Sequence, residues 1–254
     1  MDYEKTLLWE QAQRLKKNGS EQLLEGSTPV LWYGSPGQGQ LVTIGTNPSK
    51  REFTAPDGTF LPREKQKFAS VTDAVDEAFS YMETYFTGGR ASTRWFGRPG
   101  GGKLEAMVEA LGYSFYDGTA VHLDYFPHAT VRPMGQLRAP VFDENEVTKL
   151  LLARLSFVQP ERIVVLGSEH CRRLAEAAGW EEAVHVPAYP SIRVQKGEIG
   201  GVPAAGLHAK PSEQMIGLGS GRDAFGIHHG SYSRRDALLQ IGEFVEKEGF
   251  SGRG

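Results

Sequence analysis

A chain of 254 residues, 39% hydrophobic and 23% charged, can bury a full core, and its length suits one large domain over residues 1–254 better than two small ones. The formal charge of −3 argues against a protein that coats nucleic acid through bulk positive charge, while leaving room for a local basic face. One cysteine, Cys171, excludes intrachain disulfides, thiolate zinc sites and cysteine-held iron–sulfur clusters. No run approaches the roughly 18 apolar residues of a membrane span, and the first twenty residues lack a signal-peptide apolar core, so a soluble cytoplasmic protein is expected, with no membrane partner.

In chain order, Leu7, Leu8, Ala12 and Leu15 recur at helical spacing and predict an amphipathic helix over residues 3–17, broken at Asn18 and Gly19. Leu41 to Ser49, LVTIGTNPS, is an apolar run that stops on Gly45 and opens into Thr46, Asn47, Pro48 and Ser49. It reads as a buried parallel strand whose carboxyl end carries a ligand-facing amide, where open α/β sheets bind their ligands, or as a plain turn after a strand. A long polar loop over residues 49–67 holds Phe53, followed by a helix over residues 71–86. Residues 88–102, rich in glycine and arginine, read as a flexible basic rim before a helix over residues 103–111.

Thr119 to Phe126, TAVHLDYF, is a second strand leading into Pro127, His128, Ala129 and Thr130. A helix over residues 144–158 precedes a third strand, ERIVVLG, at residues 161–167, after which Ser168 is expected to cap a helix reaching Ala178. The fourth strand, VPAAGLH at residues 202–208, runs into Ala209, Lys210, Pro211 and Ser212, and a last helix covers residues 234–247. Strands separated by helical stretches imply an α/β protein, a three-layer α/β/α sandwich around a four-stranded parallel sheet with right-handed crossovers.

Three strand ends therefore carry polar clusters, and a parallel sheet puts them on one edge. Taken in order, G-T-N-P-S, H-L-D-Y-F-P-H-A-T, V-V-L-G and H-A-K-P-S resemble the uracil-DNA glycosylase superfamily over residues 41–216. The asparagine in the first motif resembles the mismatch-specific uracil/thymine branch rather than the branch with aspartate there. The resemblance implies a monofunctional, monomeric DNA glycosylase that flips a pyrimidine out of DNA and hydrolyses its N-glycosidic bond. No cofactor and no metal are expected, the scattered His122, His128, His228 and His229 lacking ligand spacing.

The chemistry separates positive charge on the sugar from negative charge on the departing base and needs a water under C1′. Asn47 matches the family position that orients this water; an amide holds water well but is a poor general base. Gly45, Thr46, Pro48 and Ser49 would line the pocket. Phe53 would stack on the flipped base, worth about 1–3 kcal/mol, or else anchor its loop. Relatives carry His-Pro-Ser or Asn-Pro-Ser where this chain has Lys210-Pro211-Ser212. Lys210 would then stabilise the anionic base or grip a phosphate, with His208 taking the histidine role, or both are ordinary strand-end side chains. Asp124 is either a base that activates water or a buried, hydrogen-bonded acid. Met215 and Ile216 match the apolar wedge that enters the duplex, and Arg90, Arg94, Arg98, Arg222, Arg234 and Arg235 are candidate phosphate contacts. Where strict uracil enzymes have tyrosine after the motif proline, Ser49 leaves room for thymine or a larger modified cytosine, including the glucosylated bases met in phage defence. A catalytically inactive DNA-binding protein on the same fold and a small-molecule nucleoside hydrolase are the alternatives.

Overall fold

The computed structural model describes residues 3–17, 20–62, 75–137, 142–211, 222–227 and 234–250. Six helices, α1 (Tyr3–Lys17), α2 (Val75–Glu83), α3 (Leu104–Ala110), α4 (Glu144–Val158), α5 (Ser168–Ala178) and α6 (Arg235–Val245), accompany six strands among these residues. The strands are β1 (Leu41–Gly45), β2 (Ala120–Asp124), β3 (Arg162–Leu166), β4 (Val184–Val186), β5 (Tyr189–Ile199) and β6 (Val202–Leu207). Their order in the sheet is β2-β1-β3-β6-β5-β4. The protein is thus α/β with helices flanking the sheet, but the sheet has six strands and is mixed, where four parallel strands were expected. No described helix is long and apolar enough to cross a membrane.

Contacts divide the chain into two compact units. One comprises Gly39–Gly45, Ser92–Ala120 and Pro160–Gly254. Here β1, β3 and β6 run parallel, with Val42 beside Ile163 and Val164 beside Ala205. The carboxyl ends Gly45, Leu166 and Leu207 therefore share one edge. Their side chains are almost wholly buried, as continuous apolar runs in a parallel sheet must be.

The two unforeseen strands extend the same sheet, β5 antiparallel to β6 and β4 antiparallel to β5. β5 pairs antiparallel with β6, closing between Ile199 and Val202 through Gly200 and Gly201, whose φ values of 59° and 82° suit a two-residue hairpin. Along β5 only Tyr189, Ile192, Val194 and Ile199 are buried, so no apolar run marks it in the sequence. The Gly-Gly pair between two β-rich stretches is the signal that would have found it.

Residues 88–102, read as a flexible rim, span both units. Within the unit that holds Ser92–Ala120 they form bonded turns pinned by buried Phe96, whose ring meets Phe115 edge-on at 5.2 Å. Nor does Ser168 cap α5. Gly167 occupies the cap position at φ 95°, and Ser168 is already helical.

The other unit comprises Met1–Gln38, Thr46–Ala91 and Val121–Gln159. α1 packs on α4 through its buried face of Leu8, Trp9, Ala12 and Leu15. Local chemistry sets the ends of α4: the Asp143 carboxylate accepts from the N–H groups of Asn145 and Glu146, and Gln159 closes the helix in the left-handed conformation before Pro160. Trp32 stacks on Phe157 at 5.3 Å and on Phe79 at 5.6 Å. Arg154 is completely buried, donating to the carbonyls of Leu31 and Tyr125 at 3.3 and 3.0 Å. Burial lowers its pKa to about 10, which leaves it charged at neutral pH.

Candidate functional site

Asn47 follows the last residues of the apolar run, and its amide is oriented by a defined set of acceptors. Nδ2 donates to Thr130 Oγ1 at 3.1 Å and to the carbonyls of His128 and Pro48, each at 3.2 Å. The Thr130 hydroxyl donates its own proton to the Arg132 carbonyl at 2.6 Å, so towards Asn47 it acts only as an acceptor. Amide orientation follows from that network, because a flipped amide would point its oxygen at three acceptors. Oδ1 is left as an acceptor that no described residue occupies, on a side chain that remains half-exposed.

Both sides of this arrangement are themselves held. The Thr46 carbonyl accepts from Phe126 N–H at 3.0 Å, which sets the register between the two motif segments. Buried His128 donates from Nε2 to the Ala12 carbonyl at 2.8 Å, tying the second motif to α1. Gly45 and Pro48 are buried and Thr46 is half-exposed. Exposed Ser49 caps the short helical turn Lys50–Glu52, its hydroxyl accepting from Arg51 N–H at 3.3 Å.

Phe53 ends that turn and is completely buried, so no face of its ring is open to a stacked base in this structure. Its surroundings make it the loop anchor. The preceding residue, Glu52, is also buried and accepts from the Tyr85 hydroxyl at 3.1 Å.

Asp124 is likewise enclosed. The Tyr33 hydroxyl donates to its Oδ2 at 3.0 Å, and His122 Nε2 lies 3.4 Å from Oδ1. Residues 122 and 124 share a strand face, which puts histidine and carboxylate side by side. Tyr33 meets Tyr85 edge-on at 5.0 Å, linking the two buried acids through their phenols. Burial, reinforced by the charges of Asp124 and Glu52, holds the Tyr33 phenol well above its ordinary pKa, so it remains a donor. Asp124 is therefore placed as a hydrogen-bonded internal acid, where water activation was its other reading. Glu52, Tyr33 and Tyr85 escaped the sequence reading because nothing local distinguishes a buried tyrosine with an acid partner from an ordinary core aromatic.

The remaining described candidates, Arg90 apart, belong to the other unit. His208 Nε2 bonds Gln195 Oε1 at 3.0 Å, and because Gln195 Nε2 already donates to the Glu181 carbonyl, the histidine carries its proton on Nε2. Arg193 approaches the other ring nitrogen at 3.5 Å. Burial, then Arg193, pushes the His208 pKa down, so the ring is neutral at pH 7. β5, absent from the sequence reading, supplies both partners of His208.

Lys210 is half-buried, and its alkyl chain crosses Gly167: a Cβ there would lie 3.0 Å from Lys210 Cε and 3.4 Å from Cγ. The glycine that closes the V-V-L-G strand thus gives the lysine its path. Buried His170 is held at a pKa of about 3, chiefly by desolvation and then by the charges of Lys210 and Arg173.

Arg94, Arg98, Arg222 and Arg234 are exposed, Arg222 donating to the Gly226 carbonyl at 2.7 Å. Arg90 stacks over Tyr81 at 4.4 Å and bonds Thr84, and Arg235 pairs with Glu109 at 2.6 Å. Ser212, Met215, Ile216, His228 and His229 lie outside the described residues. No protein-family model matches the chain, and no curated protein matches it.

Proposed function

We propose that the chain is a monofunctional DNA glycosylase, which hydrolyses the N-glycosidic bond of a flipped, damaged or modified pyrimidine and leaves an abasic site. The reading is carried by the Asn47 amide: its N–H groups are committed to Thr130, His128 and Pro48, and its oxygen is left as the outward acceptor. An oriented acceptor of this kind holds one water proton and aims a lone pair of the water at C1′ as positive charge develops on the sugar. An amide takes up no proton at neutral pH, so the rate comes from positioning rather than from strong base catalysis, and a slow hydrolase is expected. The motif order described above supports the same reading, with Ser49 in place of a tyrosine arguing for a base larger than uracil.

Duplex and single-stranded oligonucleotides bearing uracil, a thymine mismatch, 5-hydroxymethylcytosine or glucosylated 5-hydroxymethylcytosine are incubated with the protein and then treated with alkali. Strand breaks at one of these bases, lost in Asn47→Ala, are the expected result. Tight, salt-dependent DNA binding with no breaks would make this a binding protein without hydrolysis, and the absence of any DNA affinity would point to a small-molecule nucleoside hydrolase.

A further inference from the structure

Trp180 follows Gly179, the left-handed cap of α5, and lies flat on the sheet. A Cβ built on Gly197 would stand 2.2, 2.3 and 2.4 Å from Trp180 Cγ, Cδ1 and Cδ2. Near-equal distances to three adjoining pyrrole carbons place that point over the ring face, so one face of the indole rests on the β5 backbone. The benzo edge reaches β6, where a Cβ on Gly206 would come within 2.8 Å of Cζ3. Nε1 donates to the Glu198 carbonyl at 3.1 Å and fixes the ring's rotation. Two glycines on neighbouring strands form the bed, and the half-exposed indole lines a groove of about 700 Å³ between α5 and the β5–β6 surface.

The groove's other walls are polar and electrically balanced. α5 contributes Glu169, Arg172 and Glu176, and β5 contributes Arg193 and Gln195. Two guanidinium groups face two carboxylates, and His208 adds no charge at neutral pH. A phosphate entering here meets two carboxylates beside the lining guanidinium groups, although Glu169 is shared with Arg173 at 2.7 Å, whereas a neutral ligand meets no repulsion. Carboxylate, guanidinium and amide groups offer paired acceptors and donors that match neighbouring hydroxyls, while the negative face of an indole attracts the polarised C–H groups of a saturated ring. Side chains on α5 that form only loose pairs, such as Arg172 with Glu176 at 3.7 Å, can re-aim towards a ligand.

We propose that this groove is a binding site for a neutral carbohydrate of about hexose size, with Trp180 as its stacking platform and Glu176 and Arg193 as hydroxyl partners. The site stands apart from the glycosylase reading, since it lies on α5, β5 and the end of β6 and is tested with free sugar. The probe is methyl β-D-glucopyranoside, titrated into 15N-labelled protein while the four tryptophan indole N–H signals are followed. Trp180→Phe identifies its own signal by removing it.

Saturable movement of the Trp180 indole signal, with millimolar affinity, is the expected result, and the indoles of Trp9 and Trp32 stay still. Glu176→Gln and Arg193→Ala alter exposed side chains, so the fold is retained; each weakens the sugar about fivefold, the worth of one lost hydrogen bond. Thymidine monophosphate at the same concentrations serves as the anionic, aromatic control. A Trp180 signal that ignores the glucoside in folded protein overturns the proposal, as does movement with the nucleotide alone, or sugar binding unchanged in both exposed variants.

Discussion

His170 makes the acid sensitivity of this fold calculable. It lies near the start of α5, almost completely buried, with its pKa depressed to about 3 by desolvation first and by Lys210 and Arg173 after it. In the unfolded chain a histidine titrates near 6.5. Above that value both states hold the ring neutral and its contribution is intact. As pH falls below 6.5 the unfolded chain takes up a proton that the folded protein refuses. Stability then drops by about 1.4 kcal/mol per pH unit until the folded group itself titrates near 3.

Between about pH 6.5 and pH 5 the loss attributable to this one residue is about 2 kcal/mol, a large part of the margin of a typical domain. Urea unfolding followed by tryptophan fluorescence at several pH values measures it, with His170→Gln as the reference that cannot titrate. The parent should lose stability more steeply than the variant over this range, other histidines contributing equally to both. Lys210→Met removes the second cause and raises the folded pKa, so the decline ends at a higher pH while its slope between about pH 6.5 and pH 5 is unchanged. Parallel stability curves for the parent and His170→Gln would refute the reasoning.

Gly167→Ala places a side chain at φ 95° and ψ 137°, a backbone region suited to glycine, and should cost about 1–3 kcal/mol, read as a lower Tm. Removing Lys210 in the same protein relieves the 3.0 Å contact but not the backbone strain, so the double variant stays destabilised. Burial pushes the Cys171 thiol up to about 12, and native protein should resist Ellman's reagent at about pH 8 until it unfolds; fast labelling of folded protein would contradict the burial. In the glycosylase assay, Thr130→Val removes an acceptor that orients Asn47 and should lower kcat about tenfold to a hundredfold, with KM little changed and Thr130→Ser restoring activity. Equal kcat values for Thr130→Val and the parent would remove the positioning role.

Periodicity made most elements legible. The spacing of Leu8, Ala12 and Leu15 reads as α1 because a helix returns to one face every three or four residues, while Leu7 of the same expected stripe is exposed and Trp9 is buried instead. Asp143 and the Gln159-Pro160 step mark the ends of α4 because capping is settled by neighbours along the chain. β5 escaped the same reading: only four of its eleven residues are buried, and it is held by pairing with β6 rather than marked by an apolar run.

The candidate site divides in the same way. Asn47 stands out locally, through an apolar strand that stops on glycine before an amide and a proline. The direction of its amide does not, because Thr130, 83 residues away, is the group that holds it. The engagement of His208 waited on a strand that no apolar run announces, and the enclosure of Phe53 and Asp124 on packing from distant segments.

The sequence by itself determined the α/β alternation, the approximate positions of the helices, the exclusion of intrachain disulfides and the polar residues at three strand ends, all properties set by composition and near neighbours. Only the tertiary structure decided which of those residues keep a free polar atom and which are committed elsewhere. It left Asn47 Oδ1 open, bound His208 to Gln195 and Asp124 to Tyr33, and laid Trp180 on two glycines. Hydrogen-bond partners far apart in the chain are chosen by packing, and packing depends on every element at once.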